Sequence, residues 1–365
     1  MAPRAAHAKV RHLREAFDAL DVDHDGRIPL NELKLILSAS NVQVRLNDQQ
    51  IEALLDEADT NQDGSFDFKE FALLTTSKQV QPSRMKRMLY RVADTVTATA
   101  DQPVVHSYLD SYNCCPPPLF IILISLAQIG VFVGYTLSSG TMPNWLTGCS
   151  GCFVDGEEGP LMFAPHLRQQ AWRFLSYMFL HAGISHIAGN LIFQILLGIP
   201  LELVHKAWRI GPIYLLAVVL GAVLQYVLDP TVYLVGASAG VYALITAHLA
   251  NVVLNWSEMP FRWFRILACA AFIGLDVGQV IYRRFFADEC DNVSYTAHIG
   301  GAITGLLMGF VLLHNINVIS WERVLFWVAL GLYVIVFLIC VVMVIFVQPE
   351  SDPIWSVQCA KESNQ

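Results

Sequence analysis

Polar residues set inside long apolar runs pose the chemical question in this chain. Ser238 stands in the run Gly236, Ala237, Ser238, Ala239, Gly240, a serine among small residues. That spacing alone most often marks close helix packing. A second run opens with Ala297, His298, Ile299, Gly300 and Gly301 and continues to Gly305, so a GxxxG face lies one turn below His298. Together the two small-residue faces let their helices approach almost backbone to backbone, which places an imidazole within reach of the Ser238 hydroxyl. A serine becomes a nucleophile when a base takes its proton. A neutral histidine suits that task, because its ordinary pKa lies near physiological pH. A third run holds His186 and Asn190 four residues apart, on one helical face. With the Ser238 backbone N–H, these two side chains form a set of donors able to receive the oxyanion of a tetrahedral intermediate. Taken alone, His186 and Asn190 read equally as a polar cluster that ties helices together.

A different chemistry is written into the first eighty residues. Asp21, Asp23, Asp25, Gly26, Arg27 and Glu32 fall at positions 1, 3, 5, 6, 7 and 12 of a loop, which is the EF-hand pattern for a hard cation that needs six to eight oxygens. The three aspartates wrap the ion, Gly26 makes the turn, the Arg27 carbonyl adds a backbone oxygen, and Glu32 closes the shell with both carboxylate oxygens. A second copy begins 38 residues later, with Asp59, Asn61, Asp63, the Ser65 carbonyl and Glu70 as ligands, Gly64 at the turn and Asp67 placed to hold a water. This spacing fits a paired lobe in which Ile28 and Phe66 join a short two-stranded ladder. Val10, Leu13, Phe17 and Leu20 supply one apolar helical face before the first loop. Pro29 at the ninth position offers no side-chain oxygen, so the first site is expected to be the weaker.

The elements that must position these residues fall into two unequal parts. Of 365 residues, 55% are hydrophobic and only 15% charged, and the mean hydropathy of +0.47 excludes an ordinary soluble protein. Charge crowds the first hundred positions, and the net charge of −8 comes largely from clustered carboxylates, which favours cations and not nucleic acid as partners. Runs of about 20 apolar residues predict seven spans, near 119–138, 174–199, 211–228, 238–254, 264–282, 295–313 and 324–347. Basic residues at Arg84 to Arg91, Lys206, Arg209, Arg262 and Arg265 mark one side as cytosolic. No N-terminal stretch has the pattern of a cleaved signal or transit peptide, so the cation lobe is expected in the cytosol, and an odd number of spans then predicts a luminal or extracellular C-terminus.

Cysteine placement agrees with that sidedness. Cys149, Cys152, Cys290 and Cys359 fall on the oxidising side, and the expected pairs are Cys149 with Cys152 and Cys290 with Cys359. Cys114 and Cys115, directly before the first span, sit where S-acylation occurs, and Asn292, Val293 and Ser294 form a glycosylation acceptor. The connector over 83–96 sets Arg84, Lys86, Arg87 and Arg91 among Met85, Met88, Leu89, Tyr90 and Val92, the composition of a basic amphipathic helix.

The combined set resembles the rhomboid intramembrane proteases over roughly residues 119–315. Their GxSxG motif is similar to Gly236 through Gly240, their histidine above a GxxxG to His298 above Gly301 and Gly305, and their HxxxN to His186 and Asn190. Trp172 and Arg173 look like the family's WR pair in the first luminal loop, and Tyr242 like the tyrosine that packs on the catalytic imidazole. The EF-hands and the seventh span resemble the animal secretase-type rhomboid-related proteins. The resemblance implies an all-α chain with a 6+1 helical bundle. Its expected parts are a paired EF-hand domain over 1–77, a cytosolic basic linker over 78–118, a membrane protease domain over 119–347 and a luminal or extracellular tail over 348–365. It further implies catalysis by a Ser238–His298 dyad without an aspartate, with His186, Asn190, Gly236 and Tyr242 in support, and it leaves Asp276 as a structural residue of span five. Ca2+ is the implied cofactor of the EF-hands only. Single-pass membrane proteins such as growth-factor precursors are the implied substrates, cleaved in the lipid bilayer of a Golgi, plasma or endosomal membrane. A non-catalytic relative that binds and traffics transmembrane clients is the alternative. A calcium-regulated transporter fits less well, for want of paired half-helices or a string of intramembrane carboxylates.

Overall fold

The computed structural model describes residues 14–39, 52, 55–76, 84–110, 118–138, 148–149, 151–154, 157–230, 232–286, 294–313 and 320–348. The chain divides into two compact units, one of residues 1–91 with 106–114 and one of 92–105 with 115–365.

In the first unit a helical segment over 14–20 enters the first loop, which ends in strand β1 (Ile28–Pro29) and helix α1 (Leu30–Ala39). The second loop repeats the plan with β2 (Ser65–Phe66) and α2 (Phe68–Thr76). The strands pair antiparallel with Ile28 opposite Phe66, as the 38-residue repeat predicts. Phe17, Ile28, Leu33, Leu55, Phe66, Phe71 and Leu74 close a common core, and the Phe17 ring meets Phe68 and Phe71 edge-on at 5.7 and 5.5 Å. Val10 and Leu13 lie outside the described residues. Helix α3 (Arg84–Asp94) forms within the basic connector, followed by α4 (Gln102–Asp110).

The second unit is a helical bundle. Its helices are α5 (Leu119–Ser138), α6 (Gly183–His205), α7 (Ala207–Leu228), α8 (Ser238–Leu254), α9 (Arg262–Phe285), α10 (Tyr295–Leu312) and α11 (Ser320–Phe346). Five of them, α5, α6, α7, α10 and α11, are long and apolar enough to cross a membrane by length and composition. Helix α8 is apolar but shorter, with 17 residues. Helix α9 has the length but carries Arg262, Arg265 and Asp276.

One predicted boundary needs correction. The second span starts at Gly183 and not near 174. Residues 173–182 form a helical turn (Arg173–Ser176), a 3-10 turn (Tyr177–Phe179) and an extended stretch. Hydropathy misses this break because its cause is polar. Buried Arg173 donates to the carbonyls of Gly159 and Met162, both at 2.6 Å, and Gly183 then enters α6 with φ +83°.

Polar bonds inside the bundle fix its helices. The Glu202 carboxylate of α6 accepts from the N–H groups of Phe120 and Ile121 at 2.7 and 2.8 Å, satisfying donors that a helix start leaves open. Gln194 of α6 donates to Ser125 and Gln128 of α5 and accepts from Tyr214 of α7. At the centre α8 and α10 lie so close that a Cβ on Gly301 would stand 2.1 Å from the Ala239 carbonyl oxygen, and one on Gly305 2.1 Å from that of Ala243. Thr246 ties the pair by donating to the Ala302 carbonyl at 2.9 Å. At the far end of α8 from Ser238, Asn251 donates to the Val96 carbonyl at 2.7 Å. Arg265, near the start of α9, donates to the Thr95 carbonyl.

A disulfide joins Cys149 and Cys152, the first of the two expected pairs. Cys114, Cys115, Cys290, Cys359 and Asn292 lie outside the described residues.

Gly301→Ala should destabilise the bundle by about 1–3 kcal/mol, the usual effect of overpacking a tight contact. Gly331→Ala on α11, where a Cβ meets nothing within 4 Å, should stay within about 0.5 kcal/mol. Thermal unfolding of the two variants in one detergent checks the contrast, and equal melting points would contradict it.

Candidate active site and cation loops

Ser238 is the first residue of α8, so its backbone N–H belongs to the helix start, where no intrahelical acceptor exists. His298 lies in the first turn of α10. The α8–α10 approach sets the Ser238 Oγ 2.8 Å from His298 Nε2, a hydrogen bond. Tyr242, one turn below Ser238, stacks on the imidazole with centroids 4.5 Å apart and planes inclined by 13°.

Gly236, just before the serine, has φ +113°, and a Cβ there would fall 2.7 Å from the His186 ring. Only glycine allows both that backbone and that contact. Its N–H donates to the Tyr177 carbonyl at 3.1 Å. His186 thus comes against the residues that precede Ser238. The Ala182 N–H donates to His186 Nδ1 at 3.2 Å, and Nδ1 as acceptor places the ring proton on Nε2, the edge facing Gly236. Asn190, also on α6, gives one amide N–H to the His186 carbonyl at 2.9 Å.

A residue that sequence reasoning left as structural joins this cluster. Asp276 Oδ2 lies 3.0 Å from His298 Nδ1. The available signal was periodic: Arg265, Cys269, Phe272 and Asp276 recur at steps of four, three and four, one stripe of α9. That stripe faces α8, with Cys269 Sγ donating to the Ile245 carbonyl at 3.7 Å and Phe272 5.7 Å from the Tyr242 ring. The other residues of the predicted WR pair organise the chain before α6: Trp172 donates to the Pro160 carbonyl at 3.0 Å, beside the Arg173 bonds already described.

In the first cation loop the ligand atoms of Asp21, Asp23 and Asp25 lie within 4.8 Å of one another. The N–H groups of Asp25 and Gly26 donate to the Asp21 carboxylate at 3.1 and 2.9 Å. Glu32 is exposed. The second loop is more closed. Glu70 is buried and accepts from the N–H groups of Thr60 and Asp67 at 3.0 and 3.1 Å. Asp59 Oδ2 accepts from Gly64, while its Oδ1 is buried with no partner. Ser65, through its hydroxyl and its N–H, holds the Asp63 carboxyl below its usual range, and Arg27 pairs with the same carboxylate at 2.7 Å. An all-oxygen donor set with one orphaned buried carboxylate oxygen fits a hard cation such as Ca2+.

A rhomboid domain model matches residues 168–315, and an EF-hand domain pair matches residues 10–76. Rhomboid-related protein 1 of Caenorhabditis elegans is 47% identical to the chain over 94% of its length and 95% of the relative's. Rhomboid-related protein 3 of Homo sapiens is 32% identical, over 92% of this chain and 88% of its own. Inactive rhomboid-related protein 2 of C. elegans is also 32% identical, over 90% and 92%. The chain therefore belongs to the rhomboid family, as a multi-pass membrane protein that carries an EF-hand pair ahead of its rhomboid domain.

Proposed function

We propose that this chain is an intramembrane serine endopeptidase that cleaves single-pass membrane proteins, with growth-factor precursors as a candidate class, and that Ca2+ in its EF-hands regulates it. The observation that carries the reading is the 2.8 Å hydrogen bond between His298 Nε2 and Ser238 Oγ at the meeting of α8 and α10. A non-catalytic role, suggested by the name of one relative, makes that hydrogen bond a helix tie only and gives no reason for Ser238, His298, His186 and Asn190 to occur together. The proposed arrangement follows the expected division at 77, 118 and 347, with the EF-hands and linker cytosolic and the tail luminal or extracellular.

In the proposed mechanism Ser238 Oγ attacks a substrate carbonyl carbon as His298 Nε2 takes the hydroxyl proton. The C=O electron pair moves onto oxygen, which the Ser238 N–H, His186 Nε2–H and Asn190 receive. His298 then gives its proton to the leaving amine as the C–N bond breaks. Water attacks the acyl-enzyme, His298 takes its proton, and the serine is restored. A hydrogen-bonded helix hides its carbonyl carbons, so substrates should carry helix-weakening residues near the cut.

The EF-hands stand apart from this chemistry, with Asp21, Asp23, Asp25, Arg27 and Glu32 in one loop and Asp59, Asn61, Asp63, Ser65 and Glu70 in the other as the ligands of Ca2+. Coupling runs through the connector. On α3 the side chains of Met85 and Met88 are 62% and 55% exposed, free for the apolar groove that a calcium-loaded sensor lobe opens. Beyond them, Thr95 and Val96 are fastened to α9 and α8, the helices of Asp276 and Ser238.

Ser238→Ala and His298→Ala should abolish cleavage of a single-span substrate by purified protein while expression and folding persist. Near-normal turnover by either variant would sink the assignment. Asn190→Ala should lose less, about 10- to 100-fold, since one lost oxyanion donor costs up to about 10²–10³ in rate and two remain.

In liposomes a cytosolic-side calcium titration should change turnover about 5- to 150-fold, the range of ordinary allosteric coupling. The double variant Glu32→Gln, Glu70→Gln should be unresponsive, and Met88→Asp should blunt the response. An identical response from the intact protein and the double variant would remove the hands from regulation. By direct calcium binding, Glu70→Gln should lower affinity at the tighter site and Glu32→Gln at the weaker. The reverse order would contradict the assignment of the first loop as the weaker site.

A further inference from the structure

We propose that Asp276 is a positioning residue for the reaction, one that holds His298 in the tautomer and orientation its task requires; the inference rests on the protease reading above. Both ring nitrogens of His298 are engaged, Nε2 with Ser238 Oγ at 2.8 Å and Nδ1 with Asp276 Oδ2 at 3.0 Å. An ionised carboxylate only accepts, so Nδ1 must carry the proton. Nε2 of the neutral ring is then a lone pair aimed at the serine hydroxyl, which is the state a general base needs before reaction. The opposite tautomer would set a lone pair against the carboxylate and an N–H against the hydroxyl hydrogen's path.

The surroundings hold this arrangement from three sides. Tyr242 covers one face of the imidazole, Tyr295 meets it edge-on at 6.2 Å, and Asp276 takes its Nδ1 edge. Phe272, one turn before Asp276 on α9, wedges between Tyr242 and Phe193 of α6, with centroids 5.7 and 4.6 Å away. Helix α9 is thereby keyed in rotation, and Asp276 is turned inward while Leu275 and Val277 beside it are exposed. A carboxylate at this depth is expensive unless partnered, and its partners here are the proposed base and the Tyr242 hydroxyl, which also hydrogen-bonds to it. The side chains of His298 and Asp276 are 13% and 25% exposed, so little water intervenes to weaken their attraction.

During the proposed reaction the proton taken from Ser238 makes His298 an imidazolium beside a fixed negative charge. That charge favours the imidazolium, and the transition state leading to it, over the neutral ring. No proton passes to Asp276, which keeps its charge throughout, and Nδ1–H stays on the ring. The competing account makes Asp276 a polar tether between α9 and α10, whose loss would loosen the bundle and leave the chemistry of each folded molecule intact.

The test uses the full-length protein in liposomes with a single-span substrate, comparing Asp276→Asn, Asp276→Ala and Asp276→Glu with the unaltered chain and with Ser238→Ala, and recording kcat, KM and thermal unfolding. The expected result is a fall in kcat of about 10²- to 10⁴-fold for Asp276→Asn, the span that general acid–base catalysis contributes, with KM unchanged. The asparagine should do no better than alanine despite its matching shape, because its amide can donate to Nδ1 and turn the tautomer. Asp276→Glu should recover part of the rate. An unchanged kcat in Asp276→Asn overturns the proposal, as does a loss confined to melting temperature or a rise in KM alone. If the unaltered chain is itself no faster than Ser238→Ala, the protease reading fails and this one falls with it; activity in the unaltered chain with no effect at Asp276 overturns this inference only.

Discussion

Helices α8 and α10 can meet only where neither backbone carries a side chain in the way, and much of the bundle follows from that restriction. The carbonyl oxygens of Ala239 and Ala243 occupy the space where Gly301 and Gly305 would bear a Cβ. Helices ordinarily pack 8–10 Å apart, depending on the side chains at the contact, and a gap of ordinary width would separate Ser238 from His298. In lipid there is little hydrophobic drive between helices, so close packing and interhelical hydrogen bonds must supply the attraction. The Thr246 bond to Ala302 is one such contribution, and the Ser238–His298 bond is another. The same two residues that are proposed to do chemistry therefore also tie the helices that carry them.

Around that contact the other helices act as supports with different chemistry. Helix α6 starts at Gly183, after a segment that Arg173 gathers by its bonds to Gly159 and Met162, and sets the His186 ring against Gly236, two residues before the serine, with Asn190 bonded to the His186 carbonyl. Helix α5 is held by the Glu202 carboxylate and by the amide knot of Gln128 and Gln194. Helix α9 meets its neighbours through the stripe Arg265, Cys269, Phe272 and Asp276, while Phe264 and Leu267, away from it, are exposed. Such a helix has one way to sit, and that orientation is what aims Asp276.

How much of this was legible in the amino-acid order depends on whether the signal is local. The EF-hand loops were, since each ligand has a fixed offset within twelve residues and the Ile28–Phe66 pairing follows from their repeat. The Ser238–His298 meeting was also readable, because glycine spacing reports helix approach. The start of α6 was not: a hydropathy window sees only apolar content over 174–182 and is blind to an arginine seeking carbonyls. Nor was the fastening of Thr95 and Val96, whose acceptors are backbone oxygens that any sequence would provide. Asp276 was legible in part. Its stripe has helical periodicity, but the two-residue mechanism that the resemblance implies gives a carboxylate no role, and no local offset ties position 276 to the histidine on another helix.

The account depends on Ser238 being an activated nucleophile, and reaction with a serine-directed fluorophosphonate measures that property without any substrate. Purified protein labelled in detergent and analysed by mass spectrometry should carry one adduct, on the peptide that contains Ser238, and His298→Ala should fail to label. No adduct on the unaltered chain, or equal labelling of Ser238→Ala, would contradict the account.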